Sequence, residues 1–505
     1  MLARLYVLKL QKRTPSPKTV TKSDLEGYGI IREESEMLVE NVLEAAFDKV
    51  KRVFSQNERL LDQELTPDSA EQISGLLTQA MSAGWVAAFR AWLTAHECQD
   101  ETVDVDGQLY RYKLDSDKEF LTFGGLMTVS RRVYQPDAGG PCHVPLDAAW
   151  GMQGEFATPK VREAVLYGMA LITPGEVETL LKKCALFQPG QTAIRRMAER
   201  MGCWLEEHED SALGAIREAE PVPAGTRVLA ASLDGVNVLL SERGKKKGRP
   251  AERPGEHGDR QDSPTSYRNA MVGSVSLYGE VPAGKKCPER LVSRYAARMP
   301  EEKAPTLKRK FEAELAALDS QLEQNVVRIV LCDAARGLWS YIDETSQFEG
   351  WEKAVDFHHA TDHLSRAAES LFGKGSARGT CWYQKYRKAL KCHEDGADRV
   401  IRSMDYYART RRLSKHRQEQ LAAERTFFVN NKRRMPYARF LENGWPIGSG
   451  PVEAACKSVV KTRLCRSGMR WSRERGQHVL SLRTFVKSNR WEALWQHYKA
   501  TLCSA

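Results

Sequence analysis

The run from Arg227 to Leu240, RVLAASLDGVNVLL, constrains this chain more than any other stretch. Apolar side chains fall on both alternating faces, so neither face suits water, and the segment reads as a strand buried between layers. One carboxylate, Asp234, interrupts it, a costly placement unless a cation or hydrogen-bond donors meet it. Strand patterns recur in YRNAMVGSVSLYG and RLVSRYAARM. An amphipathic helix follows in APTLKRKFEAELAALDSQLEQN. VVRIVLCDAARGLWSYI and WEKAVDFHHATDHLSRAAESLF then repeat one grammar, a short strand running into a helix. Three strands, a helix, and two strand–helix units predict a mixed α/β layer over residues 226–375.

The rest of the 505-residue chain reads differently. Residues 1–27 form a basic arm. Apolar residues at helical spacing, including Met37, Leu38, Val42, Phe47, Leu76, Met81, Trp85 and Phe89, predict a helical region over 28–98. Short alternating runs predict a small β element over 99–157. Three helical segments broken at TPGE and QPGQ occupy 158–225, compatible with a helix-turn-helix or with a plain helical hairpin. Residues 376–445 read as a charged all-helical insertion, and 446–505 as C-terminal helices. The net charge of +10 favours a polyanionic partner. Eleven cysteines without a CxxC pair imply a reducing compartment rather than a disulfide framework. No apolar run approaches the roughly 20 residues needed to span a bilayer, and the N-terminus lacks a secretory cleavage pattern. A cytoplasmic protein is expected.

Three acids stand out. Asp333 ends an apolar strand, the position where α/β sheets gather ligands, although helix capping is an alternative role. If the strands of Asp234 and Asp333 are neighbours, their carboxylates converge, and a hard divalent cation, Mg²⁺ or Mn²⁺, relieves the repulsion. Glu453 is the candidate third donor. It lies in PIGSGPVEAACK, where Gly448 and Gly450 permit close backbone approach and Pro451 suits a first helical turn. Its alternative role is a surface pair with Lys457. Three carboxylates would serve two-metal phosphoryl transfer, provided that Glu453 reaches both aspartates. Seven basic residues follow between Lys457 and Arg475. Of these, Lys457, Lys461, Arg463, Arg466, Arg470 and Arg473 suit phosphate contacts. Lys245, Lys246, Lys247 and Arg249 would clamp DNA or simply solubilise a loop. Trp445 would stack on an unpaired base or sit in the core.

SLDGVNV, IVLCDAARGLW, DFHHATDHL and PIGSGPVEAACKSVVKTRLCRSGMRWS, in that order, resemble the DDE transposases of bacterial insertion sequences, and most closely the ISKra4 family. The resemblance is distinct from about residue 226 and fainter upstream. It implies a ribonuclease-H-like α/β core with an all-helical insertion, preceded by the mainly helical region and the small β element. It also implies Asp234, Asp333 and Glu453 as catalytic, metal-binding acids separated by 99 and 120 residues. Asp356 and His359 match an accessory Asp-x-x-His signature, with helix capping as the plainer role of the histidine. Three positions depart from the family pattern: Ala334 replaces a glycine, Cys465 replaces a lysine, and Cys142 stands alone where relatives often carry a cysteine knuckle.

The implied function is a DNA transposase. It would cleave at terminal inverted repeats and join 3′-hydroxyl ends to target DNA, acting on double-stranded DNA as a homodimer or larger assembly, away from membranes. The alternatives are a ribonuclease-H-like nuclease and a domesticated DNA-binding protein without strand transfer.

Overall fold

The computed structural model describes residues 22–184, 187–241 and 265–502, with side chains described from Glu36 onward and Tyr267 the first after the internal gap. Lys245, Lys246, Lys247 and Arg249, and the arm before residue 22, lie outside the described residues. The chain divides into two compact units, Met1–Arg162 with Thr179–Pro189 and Thr501–Ala505, and Glu163–Glu178 with Gly190–Ala500. The boundary therefore falls inside the Pro159–Leu171 helix, whereas the sequence suggested a break near residue 158. Among the described residues no helix is long and apolar enough to cross a membrane.

In the first unit, the Lys22–Ser55 and Pro67–Thr94 helices pack as a hairpin around Val53, Leu76 and Ala80. Thr66 starts the second helix by accepting from Ser69 N–H while Ser69 returns the bond, a reciprocal cap. The expected β element is an antiparallel sheet of β1 (Thr102–Val105), β2 (Gln108–Thr122) and β3 (Gly125–Gln135). Its core joins Phe120, Met127 and Val129 to Leu93, Leu146 and Met152. The buried Asp147 carboxylate holds Arg131 at 2.7 Å and Lys118 at 2.9 Å.

The second unit is built on β4 (Val228–Ser241), β5 (Thr265–Tyr278), β6 (Arg290–Arg298), β7 (Val327–Cys332) and β8 (Glu352–Val355). Their spatial order is β6-β5-β4-β7-β8. The first three form an antiparallel meander, and β7 and β8 run parallel to β4. Leu229, Ala231 and Leu233 of β4 face Phe311, Leu315 and Leu318 of the Pro305–Asp319 helix. Gly273 on β5 makes room there, since a Cβ would stand 2.6 Å from the Phe311 ring. On the opposite face, Val228 and Ala230 join Ile329, Leu331 and Phe440, while Val236, Val238 and Leu240 join Val452, Ala455 and Val460. Burial on both faces is what RVLAASLDGVNVLL requires.

The helical insertion comprises Ala377–Cys392, Gly396–Thr410, Lys415–Asn431 and Tyr437–Glu442. It shares a core with the Phe357–Phe372 helix through Leu364, Leu371, Trp382, Val400, Met404 and Phe428. A buried ionic network ties four further elements together. Glu314 accepts from Arg490 at 2.7 Å, Arg217 at 2.8 Å and Arg294 at 3.3 Å, and Glu220 accepts from Arg490 and Arg294.

The Gln191–Ala219 helix buries Ile194, Met197, Met201 and Leu205. It lies close along the Arg473–Lys487 helix, where a Cβ at Gly202 would strike the His478 ring at 2.1 Å. Its buried stripe packs within the unit, as either a helix-turn-helix or a plain helical hairpin requires.

Candidate active site

Strand register assembles the aspartates. The parallel ladder runs Val228↔Val327 through Ala231↔Val330, and the next runs Ile329↔Glu352 through Cys332↔Val355. Continued three residues past Ala231, the first register sets Asp234 beside Asp333. Continued one residue past Cys332, the second sets Asp333 beside Asp356. Side-chain alternation puts Asp234 on the face of Val228, Ala230 and Val236, and Asp333 on that of Ile329 and Leu331, which is one face of the sheet. Asp333 and Asp356 directly follow the C-terminal ends of β7 and β8, where ligands collect, whereas Asp234 lies within β4, just past the end of its ladder with β7.

A buried thiol marks the convergence. Cys332 accepts Leu233 N–H at 3.3 Å. Burial pushes its pKa up to about 12, and the charges of Asp333, Asp234 and Asp356 add to the rise. Asp234 accepts Gly235 N–H at 2.6 Å, and Asp333 accepts Ala335 N–H at 3.0 Å. The N-cap of the Arg336–Glu344 helix is Ala335, so Asp333 forms a turn just before it and is not the cap residue itself.

Glu453 lies on the short Gly450–Ala455 helix, packed over β4 by Val452, Ala455 and Cys456. Burial raises the pKa of the Cys456 thiol, and the charge of nearby Asp234 adds to the rise. The segment that follows the third acid therefore passes close to the first. Glu453 itself is exposed and meets Ser449 Oγ at 3.3 Å. It makes no ion pair with Lys457. Among the described residues no three His, Cys, Asp or Glu side chains are grouped to hold a metal ion. The donor chemistry fits a hard divalent cation, with carboxylate oxygens on adjoining elements, but in this conformation Glu453 does not close the set with both aspartates.

The expected role of the glycines is revised. A Cβ at Gly450 would meet nothing within 4 Å, and one at Gly448 would be in ordinary contact, 3.4 Å from Asp356 Oδ2. The helix is instead held by Asp356, which is buried. Asp356 caps the Phe357–Phe372 helix by accepting His359 N–H at 2.8 Å, and its other oxygen accepts Ser449 N–H. Phe357 N–H bonds Ile447 O at 3.0 Å. The accessory signature thus clamps the turn before Glu453. The His359 ring is half-buried, 5.0 Å from His363, and His363 bonds Glu424 at 2.6 Å.

After Glu453 the helix widens into a π segment, Cys456–Lys461, so the i, i+4, i+8 alignment of Glu453, Lys457 and Lys461 is not kept. The segment rests on Arg483, a residue that sequence reasoning missed. Its guanidinium is buried and donates to Val459 O at 2.6 Å and to Ser458 O and Ala170 O. Burial lowers its pKa to about 10, with Arg463 and Arg466 adding to the fall. A lone arginine inside the apolar run VLSLRTF was the available signal.

The proposed phosphate contacts divide. Lys457, Lys461 and Arg470 are exposed and carry no ion-pair partner among the described residues. Arg466 is held by Glu176 at 2.7 and 2.8 Å, and Arg473 donates to Pro300 O. Arg463 is buried, against its expected place on a solvated face, with its guanidinium 5.1 Å from the Trp471 ring. Trp445 packs edge-on against Phe440 at 5.3 Å beside Val228 and Ile329, the core alternative. No family model matches the chain, and no curated protein matches it.

Proposed function

We propose that the chain is a DNA transposase of the DDE type, resembling the ISKra4 family, with a ribonuclease-H-like core. One observation supports this most: the β4–β7 register, which ends at Ala231↔Val330, would set Asp234 beside Asp333 if continued three residues, on the sheet face against which Val452 and Ala455 of the Glu453 helix pack. A meander followed by two parallel strands, in the order β6-β5-β4-β7-β8, supports the ribonuclease-H-like assignment. The exposed Lys457 and Lys461, which follow Glu453 in the chain, supply charge for DNA phosphates.

Asp234 and Asp333 would hold Mg²⁺ or Mn²⁺, with Glu453 as the third donor. Such an ion lowers the pKa of a bound water and stabilises charge on a leaving oxygen. The residues themselves divide the remaining work. Asp356 orients the Glu453 helix through the Ser449 backbone, and Lys457 and Lys461 steer the phosphodiester backbone.

The test uses full-length protein, cloned element ends, Mg²⁺ and a target plasmid. Joined products are expected, and Asp234→Asn should abolish them. Cleavage without joining would mark a nuclease, binding without cleavage a DNA-binding protein, and either outcome sinks the transposase assignment. Joining by Asp234→Asn would remove Asp234 from the site.

A further inference from the structure

A cleft of about 380 Å³ opens in the second unit between the Thr173–Pro174 turn, the Gln191–Ala219 helix and the loop Gly468–Arg475. That volume lies within the roughly 300–1,000 Å³ range of small-ligand sites. Its walls are apolar, from Met169, Ala198, Met469, Trp471 and Val479. Four guanidinium groups, Arg195, Arg463, Arg470 and Arg475, face it against one carboxylate, Glu199, which lies 3.4 Å from Arg475. His478 also lines it and is engaged by Glu206 at 3.0 Å.

Arg463 is the telling residue. It is 1% exposed, and among the described residues its only side-chain hydrogen bond is from Nε to Met169 O at 3.4 Å. Among the described residues its terminal nitrogens have no partner and no carboxylate pairs with it. Burial pulls its pKa down to about 10, and nearby Arg466 adds to that. A buried, unpaired cation is costly, and an anion entering the cleft would offset the cost. Arg470 stands exposed at the mouth, also without a partner. Apolar walls with unpaired guanidinium groups suit an aromatic ring that carries an anion. Trp471 fixes the cleft to the catalytic sheet, since its N–H bonds Leu239 O at 3.1 Å and its C=O accepts Ser241 N–H at 2.9 Å.

We infer that this cleft receives one unstacked nucleotide of a DNA strand, its base between the apolar walls and its phosphate on Arg463 and Arg470. The inference rests on the DNA-processing assignment above and names a subsite of it. A free nucleotide has the same chemistry, so the test separates the two sources.

The experiment is Mg²⁺-free binding of the full-length protein to duplexes forked at one end, with 2-aminopurine moved through the unpaired strand. A fluorescence change confined to one or two positions is expected. Arg470→Ala and Arg463→Met should each weaken forked DNA about tenfold while leaving blunt duplex within about twofold. Arg470→Ala alters an exposed side chain, so it keeps the test open if Arg463→Met fails to fold. A response spread evenly along the strand, or equal loss on forked and blunt DNA, overturns the inference. So does tighter binding of free 2-aminopurine deoxyribonucleoside monophosphate than of forked DNA. A protein that joins ends without a position-specific response refutes the cleft and spares the transposase. One that responds but never cleaves does the reverse.

Discussion

At the scale of single residues, charge decides most outcomes. Asp333→Asn and Glu453→Gln should each lower DNA cleavage by about 100-fold or more while leaving the melting temperature nearly unchanged, because neither side chain supports a core. Glu314 behaves oppositely. Burial alone would raise its pKa, but Arg490 and Arg217 hold it at about 2, below its ordinary 4.5. The folded value is depressed, so its stabilising contribution is full above about pH 4.5 and lost as pH falls toward 2. Glu314→Gln should destabilise by about 3–5 kcal/mol in denaturant melts at pH 7, since it strands arginines in the interior. The same variant should flatten the acid limb of the stability profile.

At the scale of elements, Asp356 links two backbones. Asp356→Ala removes a helix cap and leaves the Ser449 N–H unbonded, and should cost about 2–4 kcal/mol. Cleavage should fall further than stability accounts for, because the Glu453 helix loses its anchor; parallel losses at every temperature would argue for a structural role alone. The strands and helices from Val228 to Phe372 follow the sequence reading closely, because apolar periodicity and burial agree there. What the sequence hid was contact that depends on three dimensions. Gly448 and Gly450 suggested a crowded turn, yet a Cβ would clash elsewhere in this unit, as at Gly202 and Gly273, where a helix and a strand each meet an aromatic ring, and at Gly235 against Asn269. The π segment was equally hidden, and the guanidinium that meets its carbonyls belongs to Arg483, more than twenty residues away in sequence.

At the scale of the whole molecule, a net charge of +10 would make the proposed DNA affinity a matter of salt. Removing Lys457 and Lys461 together should reduce the slope of log affinity against log salt by about two, measured on blunt duplex. Arg466→Ala should change that slope little, because Glu176 already neutralises it at 2.7 Å. Positive charge was legible in the sequence as a single run, but folding sorted it into exposed, paired and buried cations. Spacing could not separate these fates, since Glu176 and Met169 come from a distant segment.

β4 outlasts its ladder with β7, which stops at Ala231, and near its far end the strand is bridged by Trp471. Six residues separate Asp234 from Leu240, so the strand spans about 20 Å between the acids and the bridge. On the proposed function it would act as a ruler laid between the scissile phosphate and the nucleotide cleft. At 3.4 Å per step along one strand of a duplex, that length corresponds to about six nucleotides. Lengthening the strand by two residues should move the responsive base outward by about two positions and leave the cut where it was.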